Sequence, residues 1–478
     1  MAMTGQLRTR AARGVLVNTG FTVAISAMTL VRGFALAAFL TATDYGVWGT
    51  VLVVYMAVVL LKQVGISDKY VQQDEPDQEL AFQRAFTLEV LFSGAAMAAV
   101  VVAAPLVALV YGDSRLLLAT LSFAAVLPTS ALQLPIVAYY RSMQYGRQAV
   151  LQAIEPVVTT LVSLGLAIAG AGYWALFGGL IAGSWASAAV AVAVSPYALA
   201  WRYDRETLNR YWRFSWPLFL SAAGSVIMAL VGLVAANVHL GLAGAGVLTL
   251  SANISGFTQR VDYLVTGTLY PAICAAADRL DVLRESFLKS NRLALMWAMP
   301  FGVGLTLFAA DLVAFVLGPG RWGAAVVLLQ LYGVVAALGQ LGFNWDAYFR
   351  ARGETRPIAV TTLASAAVFV ATAIPLLFVD GLRGFGIGVG VQMVVSVTLR
   401  FVYLRRLFGG LDVLTHLVRA IVPVLPATAL VLAVRSVDGG RSLGVALAEL
   451  ALFVAMSVAV TLVVERALMR EVVRYVRG

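Results

Sequence analysis

The chain has one cysteine, Cys274, and two histidines among 478 residues. A lone cysteine excludes an intramolecular disulfide, and so few soft ligands leave almost nothing for a zinc or iron–sulfur site. Charge is also scarce: Asp, Glu, Lys and Arg together make up 12% of the residues, against about 25% in soluble domains. A soluble fold of this size needs far more polar surface to cover its core. The shortage of charge therefore excludes a soluble enzyme, a disordered chain and a nucleic-acid binder, despite a formal net charge of +10. No cofactor is expected. What the chain has in excess is apolar sequence, with 61% hydrophobic residues.

That sequence falls into fourteen runs, at residues 15–39, 46–64, 86–110, 116–140, 149–171, 173–194, 214–238, 247–274, 294–317, 324–349, 358–378, 385–403, 417–434 and 443–464. Most are long enough to cross about 30 Å of hydrocarbon at 1.5 Å per residue. Continuous apolarity predicts helices; barrel strands would alternate. The first run is too long for the core of a cleavable signal peptide and lacks a small-residue cleavage site. The basic residues orient the spans. With the N-terminus inside, 27 of the 34 Lys and Arg fall in inner segments, five in outer ones, and two, Arg32 and Arg260, inside spans. This bias predicts cytoplasmic N- and C-termini and an even number of spans. The outer loops are short, and the longest polar segments, 67–83, 199–212 and 278–291, are all inner.

The chain also repeats itself. Tyr139 and Tyr348, Arg141 and Arg350, and Arg147 and Arg356 are each separated by 209 positions, and Arg13 and Arg213 by 200. The third and ninth spans both close on glycine, Gly112 and Gly318. The expected fold is thus an all-α polytopic membrane protein of about 14 transmembrane helices. Two six-helix lobes, residues 1–198 and 213–408, are joined by a cytoplasmic linker at 199–212 and followed by two further helices in 409–478. Six is even, so the lobes are related by an axis along the membrane normal, as in duplicated transporters.

A charge at membrane depth costs about 2.5–3.5 kcal/mol on insertion scales and needs a protein or water partner. On span 1, Asn18, Thr22, Thr29 and Arg32 fall within about 80° at helical spacing. On span 8, Thr249, Asn253, Gly256, Arg260, Tyr263 and Gly267 do the same, with Asp262 on nearly the opposite side. Such stripes suit the lining of a cavity, and guanidinium groups suit a phosphate because they offer a planar fork of donors and stay charged. Structural roles fit too: Arg32 could snorkel to the outer interface, and Arg260 could pair with a carboxylate on a neighbouring helix. A weaker stripe on span 7 holds Ser221, Ser225, Met228, Gly232 and His239. On span 2, Trp48, Tyr55 and Lys62 share a face. Tyr55 could stack on a sugar ring and Lys62 meet a phosphate near the cytoplasm, whereas Trp48 reads as an interface anchor. Glu155 precedes Pro156, which frees a helix carbonyl, so this point is either a kink or an ion-coupling site. Glu89 and Asp346 should balance Arg84 and Arg350, while Asp311 and Glu449, in outer thirds, should be solvated. No metal-binding cluster is expected.

The corner Thr43-Asp44-Tyr45-Gly46 between spans 1 and 2, the segments Val64-Gly65-Ile66 and Val71-Gln72-Gln73 after span 2, and the spacing of Arg141 and Arg147 after span 4 resemble bacterial polysaccharide transporters. These are the oligosaccharide flippases of the multidrug/oligosaccharidyl-lipid/polysaccharide exporter superfamily. The resemblance covers the first 150 residues best. It implies a flippase of the bacterial inner (plasma) membrane that moves a polyprenyl-diphosphate oligosaccharide by alternating access for cell-surface polysaccharide biosynthesis. Membrane lipids and other polysaccharide-assembly proteins would be its partners, with no nucleic acid. The last two spans resemble those of lipid II flippases, which also carry arginines in spans 1 and 8; this adds to the reading of Arg32 and Arg260 as headgroup ligands. Two rivals stand beside it. A multidrug/cation antiporter of the same superfamily would want carboxylates in its cavity rather than arginines. An integral-membrane polymerase or ligase would need an acid or histidine on an outer loop, where Asp44, Asp113, His239, Asp380 and Asp438 are the candidates.

Overall fold

The computed structural model describes residues 21, 24–62, 66, 70–71, 75–142, 144–259, 262, 265–266, 269–270, 273–274, 276–354, 356–410, 418–419, 421–437, 440–466, 468 and 470, with backbone alone at 60–62, 145 and 210–226. Each of the fourteen runs holds a helix. They are α1 (Ala24–Phe39), α2 (Ala42–Lys62), α3 (Gln78–Tyr111), α4 (Arg115–Arg141), α5 (Tyr145–Ile168) and α6 (Trp174–Ala193). The helix Arg205–Ser255 bends at Gly241 into α7 (205–240) and α8 (242–255). Then come α9 (Leu280–Leu312) and α10, made of Ala325–Gly339 and Trp345–Ala351. The helix Arg356–Leu407 breaks at Asp380 and Gly381 into α11 (356–379) and α12 (382–407). Last are α13 (Leu425–Val437) and α14 (Leu443–Val464). The protein is an all-α, multi-pass membrane protein: among the described residues nine helical segments, with α7–α8 and α11–α12 each taken as one bent segment, are long and apolar enough to cross a bilayer, with shorter apolar helices beside them. Helices are the natural outcome, because in hydrocarbon every backbone polar group must be satisfied within its own segment.

The chain packs as two units, residues 1–249 and 250–478. In the first, an aromatic-rich core brings Val47 and Val51 of α2 against Val107, Leu116, Phe123 and Phe177. A second cluster forms where Ile66 and Tyr70 pack on Ala81, Phe82 and Ala85. This explains a difference from the sequence reading. The polar stretch 67–83 is not all loop: α3 starts at Gln78, capped by the Asp77 carboxylate, which accepts the Leu80 amide at 3.0 Å. Its first turns are amphipathic, polar outward and apolar onto Tyr70. In the second unit α9 likewise begins at Leu280, and Leu283 and Phe287 are buried under Tyr348 and Phe408. Hydropathy sees the apolar part of such helices and misses the amphipathic extension.

Both α4 and α10 are broken. α4 unwinds at 125–128 and again at Gln133; α10 unwinds at 340–344. A break strands backbone groups that must find partners. Around the α10 break, Asn291 of α9 donates to the Gln340 carbonyl at 2.9 Å and accepts the Gly342 amide at 3.3 Å. Around the α4 break, the Trp185 indole donates to the Ala125 carbonyl at 2.9 Å. The glycines that close α3 and α9 have positive φ, 64° at Gly112 and 92° at Gly318, a conformation open to glycine at little cost.

Candidate functional site

At the corner between α1 and α2, Thr41 and Asp44 form a reciprocal capping box. Thr41 Oγ1 accepts the Asp44 amide at 3.2 Å, and Asp44 Oδ2 accepts the Thr41 amide at 2.9 Å. The other oxygen, Oδ1, accepts the amide of Tyr173 at 2.9 Å and so ties this corner to the start of α6. Tyr45 donates its hydroxyl to the Gly33 carbonyl at 3.2 Å. Gly46 lies so close to the start of α8 that an added Cβ would overlap the Leu242 carbonyl, and one on Gly246 would overlap that of Ala42. Gly49 is pressed on the Thr249 side chain in the same way.

Arg32 is half-buried on α1, nine residues before Thr41, within electrostatic reach of Tyr45. Among the described residues it makes no ion pair. Thr29, on the same stripe, donates to its own helix at Ile25. Asn18 and Arg260 lie outside the described residues, as does the side chain of Lys62. Asn253 is exposed, while Thr249 is buried against Gly49, so the span 8 stripe does not share one environment. Asp262 accepts the Thr266 hydroxyl at 2.7 Å.

Tyr55 stacks on Phe123, with ring centroids 4.3 Å apart and 17° between planes, so one of its faces is covered. Trp48, on the same helix, packs against Phe123 and Phe177 at 5.7 and 5.1 Å. The aromatic residues of α2, α4 and α6 thus pack on one another, with centroid distances typical of favourable ring pairs. Glu155 is part of a polar group inside the first unit. It accepts from Gln133 at the α4 break at 3.0 Å and from the Ser184 hydroxyl at 3.1 Å, within electrostatic reach of Tyr55. Helices α5 and α6 approach closely here, because a Cβ on Gly183 would meet the Glu155 carbonyl oxygen and the Thr159 side chain.

Several charges behave otherwise than their sequence positions suggest. Asp311 and Glu449, expected in solvent, are 8% and 3% exposed and share two arginines. Arg435 donates to Glu449 at 3.0 Å and to Asp311 at 3.2 Å; Arg441 donates to Asp311 at 2.7 Å and to Glu449 at 2.9 Å. These groups come from α9, α13, the loop before α14 and α14 itself, and pair only through tertiary packing. Arg84 pairs with Glu75 at 3.2 Å rather than with Glu89, while Arg350 pairs with Asp346 at 2.9 Å as expected. Arg400, counted from sequence among the orienting arginines, donates to the Gly339 carbonyl at the α10 break at 2.8 Å and leaves its buried Nε without a partner. Its place seven residues before the end of α12 was the available signal. Of the acids expected on outer loops, Asp113 is held below the usual carboxylate range by hydrogen bonds from the Arg115 side chain, and Asp380 lies 3.8 Å from Arg383. Asp438 lies outside the described residues. Among the described residues no three His, Cys, Asp or Glu converge as a metal site.

One contact recurs in both units. Arg141 lies over the Tyr70 ring at 5.6 Å, and Arg350 over the Tyr270 ring at 5.5 Å. Arg141 also donates to the Tyr70 and Val71 carbonyls, at 2.6 and 2.8 Å. Tyr70 and Tyr270 are 200 positions apart, the same separation as Arg13 and Arg213.

The helical plan is that of transporters of the MOP superfamily. A multidrug resistance MATE family transporter of that superfamily, in an inward-facing conformation, superposes with a TM-score of 0.67 at 15% identity, over 83% of this chain and 98% of its own. The lipid II flippase MurJ, in an inward closed conformation, superposes with a TM-score of 0.67 at 10% identity, over 95% of this chain and 100% of its own. A MOP superfamily transporter from Pyrococcus furiosus gives 0.60 at 13%, over 84% and 95%. No curated protein matches the sequence. The family profile of polysaccharide biosynthesis proteins matches residues 35–327, more than half of the chain, and the chain belongs to that family.

Proposed function

We propose that this protein is a flippase that carries a polyprenyl-diphosphate oligosaccharide across the bacterial plasma membrane for cell-surface polysaccharide biosynthesis, by alternating access and without enzymatic chemistry. The observation that carries this reading is Arg32: a half-buried guanidinium on a membrane helix that, among the described residues, has no carboxylate partner. Such a group stabilises an anion at depth and disfavours a cation, which counts against a multidrug/cation antiporter. Coverage supports the same choice. The lipid II flippase matches 95% of this chain and the MATE transporter 83%, and a flippase of lipid-linked cargo is the better match in extent. The outer acids Asp44 and Asp113 are engaged in hydrogen bonds to backbone and arginine, which counts against a polymerase or ligase.

In this mechanism Arg32 and Arg260 hold the diphosphate, Asn18 and Asn253 line its path, Lys62 meets it on the cytoplasmic side, and Tyr55 stacks on a sugar ring. Glu155 is the ion-coupling group. Both termini are cytoplasmic, a reading supported by the 27-to-5 distribution of basic residues. The two lobes, 1–198 and 213–408, are copies, as the recurring arginine–tyrosine contact supports. Outward movement of an anion against an inside-negative potential is downhill by about 2.3 kcal/mol per charge per 100 mV. The barrier is headgroup desolvation, which a fixed arginine offsets.

The test is flipping of a polyprenyl-diphosphate oligosaccharide by protein reconstituted in liposomes. Arg32→Ala and Arg260→Ala should each abolish flipping while the protein remains folded and inserted, and the lysine variants should restore part of it, since a point charge replaces a fork. Undiminished flipping by both alanine variants would defeat the anion reading.

A further inference from the structure

Helices α9 and α14 are joined by ionic contacts at two levels. At one, Asp311 and Glu449 share Arg435 and Arg441; at the other, Arg292 forks onto the Glu465 carboxylate through Nε, at 3.0 Å, and Nη2. Asp311 and Arg292 are nineteen residues apart on α9, and Glu449 and Glu465 sixteen apart on α14. At the helical rise these are about 28 and 24 Å, close to the thickness of the hydrocarbon core. Between them the contact is apolar, with Phe308 edge-on to Phe453 at 6.0 Å. The two ionic levels are thus separated by about the thickness of the hydrocarbon core.

A pocket opens at the Arg292 level. Its walls are Arg292, Met296 and Pro300 of α9, Arg419 and Pro423 before α13, and Glu465 at the end of α14. Among the described residues two guanidinium groups and one carboxylate face it, which leaves one positive charge in excess. Glu465 is spent on Arg292, and among the described residues Arg419 has no ion-pair partner. Arg292 and Arg419 line the same pocket, so their like charges oppose each other there. An anion between them would relieve that repulsion and accept charge-assisted hydrogen bonds. From Arg292 to Pro300 the wall continues for two turns, about 12 Å, along apolar Leu295, Met296 and Val424 toward the membrane interior. A soluble anion would use only the charged mouth; a lipid would use both parts.

We infer that this pocket binds a phosphate-bearing anionic lipid, its headgroup phosphate between Arg292 and Arg419 and a chain along the apolar wall. With the inner orientation proposed above, this is the cytoplasmic leaflet, where anionic headgroups gather at basic pockets between helices. The bound phosphate adds a second tie between α9 and the segment leading into α13, a role separate from cargo carriage.

The experiment is binding of dioleoyl-phosphatidylglycerol to the purified full-length protein in neutral detergent, read by native mass spectrometry and by melting temperature. Dioleoyl-phosphatidylcholine and inorganic phosphate are the parallel probes. The anionic lipid should bind with one strong site and raise the melting temperature, whereas phosphatidylcholine should not. Arg419→Gln should weaken that site about tenfold, the equivalent of one charged hydrogen bond, and Arg419→Lys should weaken it less. Arg470→Gln, a basic change outside the pocket, should leave it intact. Equal losses in Arg419→Gln and Arg470→Gln would reduce the effect to diffuse attraction and overturn the site, as would unchanged binding in Arg419→Gln. Stabilisation by inorganic phosphate alone, lost in Arg419→Gln, would keep the phosphate site and overturn its assignment to a lipid. Flipping activity is not a readout here, so failure of this site leaves the proposed cargo untouched.

Discussion

The carboxylate of Asp44 accepts the backbone amide of Tyr173 at 2.9 Å, across 129 positions of sequence. The same side chain completes the capping box at the start of α2. Asp44→Ala removes the cap and strands the Tyr173 amide together. A cap is worth about 1 kcal/mol, and an orphaned buried donor about 1–3 kcal/mol. We expect a loss of about 2 kcal/mol, read as a lower melting temperature in detergent. Asp44→Asn keeps one acceptor oxygen where the carboxylate uses both, so it should retain only part of that stability. Equal losses in the two variants would mean that the corner depends on charge rather than on accepted hydrogen bonds.

The glycines beside that corner give a second prediction. Gly46 and Gly246 bring α2 and the start of α8 into backbone contact, with no room for a Cβ on either. Gly246→Ala must push the two helices apart, because the obstacle is the Ala42 carbonyl rather than a flexible side chain. If this contact closes the outer end of the transport path, a cysteine at Thr249, in a background with Cys274→Ser, should become more reactive to an impermeant maleimide. Reactivity as low as in the parent would show that the helices yield without opening.

The order of difficulty in reading this chain follows from the range of the forces. Helices were legible because each span carries its own signal, about twenty apolar residues in a row. The N-terminal ends of two of them were not, because the first turns of α3 and α9 are amphipathic and owe their burial to partners such as Tyr70 and Tyr348. Charged residues were visible one at a time, but their partners were not. Glu155 stood out beside Pro156, yet nothing near it in sequence points to Gln133 or Ser184. Asp311 was assigned to solvent because Arg435 and Arg441 lie more than 120 positions away. The fold was thus legible from local pattern, while the polar chemistry waited on tertiary contacts.

The shared cluster of Asp311, Glu449, Arg435 and Arg441 gives a third prediction. Its formal charge is balanced, and its carboxylates are buried. Removing one arginine leaves a buried carboxylate short of a partner, at a cost of up to about 3 kcal/mol; the arginine side chains are 25% and 36% exposed, which places the loss below that of a fully buried pair. Arg435→Ala should exceed Arg441→Ala, since Arg435 also donates to the Leu307 carbonyl and lies over the Phe308 ring at 4.9 Å. Thermal unfolding of the two variants side by side checks the order. The reverse order would shift the weight of the cluster to the loop before α14.

Glu155 supplies the last prediction. Its carboxylate holds the break in α4 to α6 through Gln133 and Ser184, in a part of the first unit where α5 and α6 are in close contact at Gly183. Gln133 also donates to the Ser184 carbonyl at 3.3 Å, so the amide bridges both partners. Protonation or cation binding at Glu155 would remove or share the acceptor and loosen the break from α6. A structural role and a coupling role therefore use the same hydrogen bonds and differ only in what happens to the charge. Glu155→Gln separates them, because it keeps an acceptor oxygen and the volume but fixes the neutral state. We expect the variant to unfold within a few degrees of the parent, while flipping in liposomes no longer responds to an imposed proton or sodium gradient. Flipping that keeps its gradient response in Glu155→Gln would assign the residue to holding the α4 break and move the search for the coupling group to the second unit. There Asp262, hydrogen-bonded to Thr266 and within electrostatic reach of Arg400, is the next carboxylate to change.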